Sequence, residues 1–225
     1  MTLENGVSAW SFSSSQYVQA AVENVEKYLK GKGLCLPVKA PTPFNSGYRP
    51  ETDVSPELNA TDAAYFQSLI GVLRWIVELG RVDVNTETSM LASCMALPRK
   101  GHLEQVFHIF AYLKNKHNSE MVFDPSDPDI DESMFPTHDW SNSVYGECSE
   151  DKPSKMPTAR GIGFKIKAYV DSDHAGDSVT RQSRTGFIVY LNSSPIYWTS
   201  KKQTGIETSS FASEFIAMKH CYEYL

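Results

Sequence analysis

Two hydrophobic patterns divide the chain: helical spacing before residue 118 and strand-like alternation after residue 161. In the first part, apolar residues recur at steps of three and four, the spacing of a helix that buries one face. Three helices are predicted from this spacing, at about 17–29, 65–79 and 103–113. A further helix is expected from about Thr86 to Leu97, before Pro98, and a short strand at Val7–Phe12.

The second part begins with an alternating run, Lys165–Asp171, in which Ile166, Ala168 and Val170 share one side. This is the pattern of a half-buried strand that ends on a carboxylate. Two more strands and a helix are predicted after it, at Thr185–Leu191, Pro195–Ser200 and Ser209–Leu225. The expected fold class is α+β: a helical segment followed by three antiparallel strands and one helix.

The last predicted helix places a second carboxylate near the first. Its large apolar residues form one stripe, consisting of Phe211, Phe215, Met218, Tyr222 and Leu225. Glu214 lies beside that stripe, in line with the small residues Ala217 and Cys221, which suit close approach to a sheet. We therefore expect the Asp171 and Glu214 carboxylates to converge and to hold magnesium ions for phosphodiester hydrolysis. The alternative is that Asp171 caps a turn and Glu214 is a solvated helix residue.

Four segments in this region carry a resemblance to a known family. They are YVDSDHAGD (169–177), RQSRTG (181–186), YWTSKKQ (197–203) and ETSSFASEFIAM (207–218). In this order they resemble the ribonuclease H domain of copia-type LTR retrotransposon polyproteins. The resemblance implies that Asp171 is the first and Glu214 the second metal-binding acid, with Mg²⁺ as cofactor. The family's third acid would follow this helix, so this chain alone is expected to be inactive.

The resemblance extends to the first part of the chain. AWSFSSSQYVQAAVENVEKYL (9–29) resembles the end of a copia-type reverse transcriptase, and 65–116 resembles its thumb and connection. The family's R-P-D is Arg81-Val82-Asp83 here, and the paired aspartates of the polymerase palm do not occur. Four segments are therefore expected, comprising 1–60 (end of the palm, first thumb helix and linker), 61–117 (helical thumb and connection), 118–160 (acidic Pro-rich connector) and 161–225 (truncated ribonuclease H-like domain).

Charge is unevenly distributed, although the net charge is only −6. Residues 119–151 contain ten acidic and no basic residues, whereas 152–202 contain nine basic and three acidic residues. A basic sheet suits phosphate contact, and Lys201, Lys202 and Gln203 are predicted to lie near a substrate backbone. An ordinary solvated surface rich in lysine is the alternative.

Cysteine spacing and hydropathy bear on the location. Four cysteines lie far apart without a C-x-x-C, which favours reduced thiols over disulfides or a zinc site. No signal-peptide pattern opens the chain, and the most apolar window, 65–79, is interrupted by charges. We expect an intracellular protein, in a cytoplasmic particle or the nucleus, without membrane association.

The function expected from these observations is that of a segment of a retrotransposon reverse transcriptase and ribonuclease H acting on RNA–DNA hybrids, with the rest of the polyprotein as partner. A degenerate or domesticated fragment that binds nucleic acid or a protein is the main alternative. An RNase H-like transposase or exonuclease is a third class, which the thumb-like helices disfavour. We also expect Phe187, Val189 and Trp198 to lack cover on one side, leaving the C-terminal part marginally stable.

Overall fold

A computed structural model describes residues 1–4, 6–134, 139, 141–142, 144, 153–158, 161 and 163–225. The chain forms five α-helices and five strands within these residues. In chain order the elements are β1 Trp10–Ser13, α1 Ser15–Gly31, α2 Ala60–Glu78, α3 Asn85–Ala92, α4 Lys100–Asn115, β2 Glu120–Phe123, β3 Ile166–Asp173, β4 Arg184–Leu191, β5 Ser194–Lys202 and α5 Ser210–Tyr224. Short 3₁₀ turns occur at Pro50–Thr52, Val82–Val84 and Glu132–Met134. The α+β class is confirmed.

Four helices, α1 to α4, form the first half of the chain. All four were predicted from the sequence and are confirmed. The α2 helix begins where the Asn59 side chain accepts a hydrogen bond from the Asp62 N–H, at 2.9 Å. The α3 helix ends at Ala92, five residues before the predicted end. There the N–H groups of Ser93 and Cys94 bond carbonyls only three residues back, which tightens the chain into a turn.

The apolar faces of these helices make one core. Phe66, Val106 and Phe110 are fully buried in it, and α1 contributes Val18 and Leu29. Burial of side chains this large contributes roughly 1.5–3 kcal/mol each before the entropy of ordering is counted. The core thus explains why the three- and four-residue spacing was a reliable guide to this half.

A two-stranded antiparallel sheet closes the helical half. Trp10 of β1 pairs with Phe123 of β2, and Ser13 pairs with Glu120. The β2 strand lies in the segment predicted to be a connector, so that prediction is wrong for Glu120–Phe123. Four residues are too few for an alternating pattern to stand out from the acidic sequence around them. Residues 135–138, 140, 143, 145–152 and 159–160 of the predicted connector lie outside the described residues.

The C-terminal sheet has the strand order β3-β4-β5 and is antiparallel throughout. One face carries α5, whose small residues Ser213, Ala217 and Cys221 are buried against the sheet. Close approach of Ala217 and Cys221 to the sheet, inferred from the sequence, is confirmed. The large apolar residues of the predicted stripe are exposed instead, namely Phe211, Phe215, Met218, Tyr222 and Leu225.

The other side of the sheet meets the helical half through β5. Trp198 packs against the helical core, and Ser89 Oγ of α3 donates to the Ser200 carbonyl at 2.6 Å. On the α5 face, Phe187 and Val189 are 7% and 1% exposed. The expectation that these three residues lack cover is therefore wrong, because α5 covers two of them and the helical core covers Trp198.

No helix in the described part of the chain is long and apolar enough to cross a membrane.

Candidate functional site

Asp171 lies near the end of β3, opposite Gly186 of β4. Its neighbour Ser172 is buried and donates to Ser213 Oγ of α5 at 2.8 Å. Because successive strand residues point to opposite faces, Asp171 is on the face away from α5. It is exposed there and lines an open cleft of about 290 Å³ shared with Asn85 and Thr86 of α3.

Glu214 is the fifth residue of α5, directly after Ser213. Ser209 caps this helix by accepting the Ala212 N–H at 3.2 Å, so the sequence S-S-F-A fixes where the helix starts. The Glu214 side chain is exposed. Asp171 precedes Ser172 and Glu214 follows Ser213, and these two serines join β3 to α5 by their hydrogen bond. Asp171 itself is on the face of the sheet away from α5.

Asp171 and Glu214 carry the type of ligand that magnesium binds, but two carboxylates are too few for a two-metal site. Carboxylate oxygens are the ligands that Mg²⁺ prefers, but a two-metal site needs enough of them to fix both ions. Among the residues that the structure describes, no group of three or more His, Cys, Asp or Glu side chains is placed to hold a metal ion. The described part of the chain therefore does not make a complete two-metal site, and the Asp171–Glu214 pair stays a prediction.

The three residues predicted to contact substrate have different surroundings. Lys201 is exposed on β5. Lys202 forms an ion pair with Asp177, with Nζ 2.5 Å from Oδ2. Gln203 is only 3% exposed, and its Nε2 donates to Thr185 Oγ1 and to the Ser213 carbonyl, both at 3.0 Å. Lys201 is thus the one of the three that is open to a ligand, and Gln203 ties the end of β5 to β4 and α5.

The Asp173–Arg184 loop explains several of the residues that carry the family resemblance. Ser183 is fully buried and accepts the Ala175 N–H at 3.0 Å, while Ala175 itself has φ 50°. Asp177 accepts the N–H groups of Val179 and Thr180 through Oδ1. These contacts hold the loop in one shape, so the AGD and the serine of RQSRTG have structural roles here.

The ion pair and hydrogen bonds of this loop shift the pKa values of its charged groups. Burial raises the pKa of the Asp177 carboxyl, but hydrogen bonds from Lys202 and Thr180 outweigh that effect and lower the pKa to about 2. Arg184 is largely buried, and burial lowers the pKa of its guanidinium despite the charges of Asp173 and Asp177. Asp177 is therefore ionised at neutral pH and fixes Lys202.

A polar cavity that the sequence did not predict lies between the two halves. It has a volume of about 530 Å³ and lies between the Gly47–Glu51 loop, α3 and the Asp173–Arg184 loop. Arg49 Nη1 donates to the Gly176 carbonyl at 2.8 Å, and Glu51 accepts the Ser178 N–H at 3.2 Å. Arg184 Nη1 donates to Ser89 Oγ at 2.8 Å. No local motif signals these contacts, because each joins residues about a hundred positions apart.

No protein-family model matches the chain, and no solved structure matches it.

Curated relatives do match. The chain is 26% identical over 155 residues to the retrovirus-related Pol polyprotein from transposon RE1 of Arabidopsis thaliana. The aligned region covers 69% of this chain and 8% of that protein. It is 23% identical over 195 residues to the uncharacterized mitochondrial protein AtMg00810 of the same plant, covering 86% of this chain and 64% of that protein. Secreted RxLR effector protein 161 of Plasmopara viticola is 39% identical over 153 residues, covering 68% of this chain and 83% of that protein.

The chain is similar to segments of retrovirus-related Pol polyproteins from copia-type transposons. It spans 8% of the RE1 polyprotein and 64% of AtMg00810, so it matches a segment of these relatives.

Proposed function

We propose that the chain is the thumb and connection of a retroelement reverse transcriptase followed by the first part of its ribonuclease H-like domain. The parent polyprotein would cleave the RNA strand of RNA–DNA hybrids. One observation carries the proposal: the first strand of the sheet bears Asp171, and the Ser172–Ser213 hydrogen bond joins that strand to the helix bearing Glu214. This order of acid, hairpin and acid-bearing helix is the order of the family's motifs.

Magnesium belongs to this proposal as a cofactor of the larger protein. By the family resemblance Asp171 and Glu214 would each contribute a carboxylate, although Asp171 is on the sheet face away from α5 in the described structure. Further ligands would come from outside the described residues, since two acids cannot fix two ions. Mg²⁺ would supply activation of water and stabilisation of the leaving oxygen.

The surface of the C-terminal half supports contact with nucleic acid. Lys201 is exposed on β5, and Lys165 and Arg181 are exposed elsewhere in the basic segment. Lysines that neutralise phosphates bind any sequence and lose affinity steeply as salt rises. An RNA–DNA hybrid is therefore the proposed ligand of the 152–202 region.

The exposed apolar residues of α5 support a role within a larger polyprotein. Phe211 is 77% exposed and Tyr222 is 81% exposed, on the side of the helix that the sheet does not cover. A row of large apolar side chains rarely faces water in a monomer and commonly marks a contact surface. We propose that the remainder of the polyprotein packs on this row.

Binding to a fluorescently labelled RNA–DNA hybrid, measured by anisotropy at increasing salt, tests the nucleic-acid part of the proposal. We expect weak binding at low salt that falls steeply with salt, and a several-fold loss in Lys201→Glu. Lys219→Glu is the matched control, because Lys219 is also exposed but lies on α5 and is ion-paired with Glu223. Absence of binding at low salt, or equal losses in both variants, would contradict a specific role of the β5 surface.

A non-enzymatic function is the second candidate. The relative with 39% identity is named a secreted effector protein. A domesticated segment of this kind would bind nucleic acid or a protein partner and need neither Asp171 nor Glu214. Two results together would favour this non-enzymatic function. Hybrid binding would be unchanged in Asp171→Asn and Glu214→Gln, and a longer polyprotein that contains this segment would not cleave the hybrid.

A further inference from the structure

We propose that residues 153–158 form a cleavage site for an endopeptidase, and that the helical half (1–126) and the C-terminal half (165–225) stay bound to each other after the cut. Hydrolysis of one peptide bond by water leaves a new carboxylate on the N-terminal fragment and a new amine on the C-terminal fragment. The contacts that hold the two halves together lie outside the segment that connects them (127–164). Their association is separate from nucleic-acid binding and cleavage.

Asn192, in the turn between β4 and β5, holds both ends of the connecting segment at one point. Its Nδ2 donates to the Pro125 carbonyl at 2.9 Å, and its Oδ1 accepts the Lys165 N–H, also at 2.9 Å. Asn192 has φ 53°, a left-handed conformation that asparagine adopts more readily than most residues. The chain therefore leaves the helical half and enters the C-terminal half at the same place. A cut between these two ends leaves both of them anchored.

The two residues after Asn192 strengthen this anchor. Ser193 N–H donates to the Ser126 carbonyl at 3.1 Å, and Ser194 Oγ donates to the Asp124 carbonyl at 2.8 Å. Both acceptors closely follow β2, which pairs with β1 of the helical half. Consecutive residues of the C-terminal half thus bond consecutive residues at the end of the helical half.

A second set of contacts between the halves lies on α3 and β5. Ser89 Oγ donates to the Ser200 carbonyl at 2.6 Å and accepts a hydrogen bond from Arg184 Nη1 at 2.8 Å. Trp198 packs against the helical core, which adds apolar burial to these polar contacts. Each of these contacts joins residues on opposite sides of the connecting segment, so a cut at 153–158 removes none of them.

The proposed cleavage site is accessible. Residues 153–158 are each exposed, and Met156 is 63% exposed. The Met156 N–H bonds the Pro153 carbonyl at 2.9 Å, a turn local to this segment. Exposed loop segments of small and polar residues are the preferred sites of proteolytic cutting. An endopeptidase can therefore reach this segment without opening the core of either half.

Limited trypsin digestion of the 225-residue chain, followed by mass spectrometry, tests the site. Residues 119–151 contain no Lys or Arg, and Lys152 precedes Pro153, a bond that trypsin resists. We expect the first cut after Lys155, and loss of that cut in Lys155→Gln. A first cut at any other bond overturns the assignment of the site.

Sedimentation velocity of the cut chain tests whether the halves stay bound. At about 5 µM we expect one species with the mass of the whole chain, while denaturing electrophoresis shows two fragments. Two separate species, or a C-terminal fragment that is rapidly degraded after the cut, overturn the proposal. The readout is mass in the absence of nucleic acid, so it is independent of whether the chain binds a hybrid.

Interface variants, compared by dilution of the cut chain, identify the contacts that hold the halves. Ser89→Ala removes two hydrogen bonds between the halves and should weaken their association by about 10-fold. Asn192→Gly removes the bond to Pro125 while permitting the left-handed backbone, and should weaken association several-fold. Ser93→Ala is the matched control, because the Ser93 hydroxyl donates to the Ser89 carbonyl within the helical half, at 3.2 Å. Equal association in the parent, Ser89→Ala and Asn192→Gly overturns the role of these contacts.

Discussion

Replacing Gln203 with alanine is expected to destabilise the C-terminal half, because its buried amide joins three elements. Nε2 donates to Thr185 Oγ1 on β4 and to the Ser213 carbonyl in α5, each at 3.0 Å. The amide oxygen Oε1 is buried without a hydrogen-bond partner. The substitution therefore removes two favourable contacts and one unfavourable one.

The magnitude follows from these contacts. Two hydrogen bonds contribute about 1 kcal/mol each. The buried Cγ methylene contributes about 0.8 kcal/mol. Removal of the unpartnered Oε1 returns about 1 kcal/mol. The free energy of unfolding of Gln203→Ala should therefore fall by about 2 kcal/mol. Gln203→Glu keeps the shape but loses the donor and buries a charge, so a loss above about 3 kcal/mol is expected.

Urea unfolding followed by tryptophan fluorescence measures this loss, with Trp198 on β5 as a reporter in the affected half. For an m-value of roughly 3 kcal/mol/M, a loss of about 2 kcal/mol lowers the midpoint by about 0.7 M. Lys201→Ala is the adjacent control and should change stability by less than about 0.5 kcal/mol. A Gln203→Ala midpoint equal to that of the parent, combined with weaker hybrid binding, would refute the structural role and favour substrate contact.

The Asp177 carboxyl, with its pKa lowered to about 2, stabilises the fold at pH values above its ordinary pKa of 3.8, and this stability is lost as pH falls through about 2. Asp177→Asn should flatten the acid limb of the curve of unfolding free energy against pH, and an unchanged limb would contradict the assignment. Ala217→Leu should cost about 1–3 kcal/mol by overpacking, since Ala217 is 0% exposed against the sheet, whereas Met218→Leu on the exposed side should cost far less in the same denaturation assay. The 225-residue chain should not cleave an RNA–DNA hybrid with Mg²⁺, because its described residues do not complete a two-metal site. Product formation that disappears in Asp171→Asn would show that the site is sufficient.

The helices and the three strands of the second sheet could be predicted from the sequence because their signals are local. Repeated spacing at 65–79 is enough to identify α2, and alternation at Lys165–Asp171 is enough to identify β3. The small-residue stripe of Ala217 and Cys221 also indicated which side of α5 meets the sheet. In each case one element's own residues contain the information.

Features that depend on distant residues could not be predicted. Nothing near Gln203 indicates that it bonds Ser213, and YWTSKKQ alone made it look like a neighbour of the lysines. The exposure of the large apolar row from Phe211 to Tyr222 also could not be predicted, because it depends on the sheet contacting only the small side of α5. The placement of Asp171 on the far face follows from Ser172 facing α5, a contact between residues 41 positions apart.

The β1–β2 sheet has a consequence for synthesis on the ribosome. Ser13 Oγ donates to the Ser119 carbonyl at 3.3 Å, a contact across 106 residues, and Trp10 pairs with Phe123. Helix α1 can form as soon as it leaves the exit tunnel, but the strand before it has no partner until β2 has been made. Because Glu120–Phe123 lies beyond the segment 61–117 that resembles the thumb and connection, a polypeptide cut after residue 117 would leave β1 unpaired. Limited proteolysis or expression of the helical half should therefore use a boundary after Phe123.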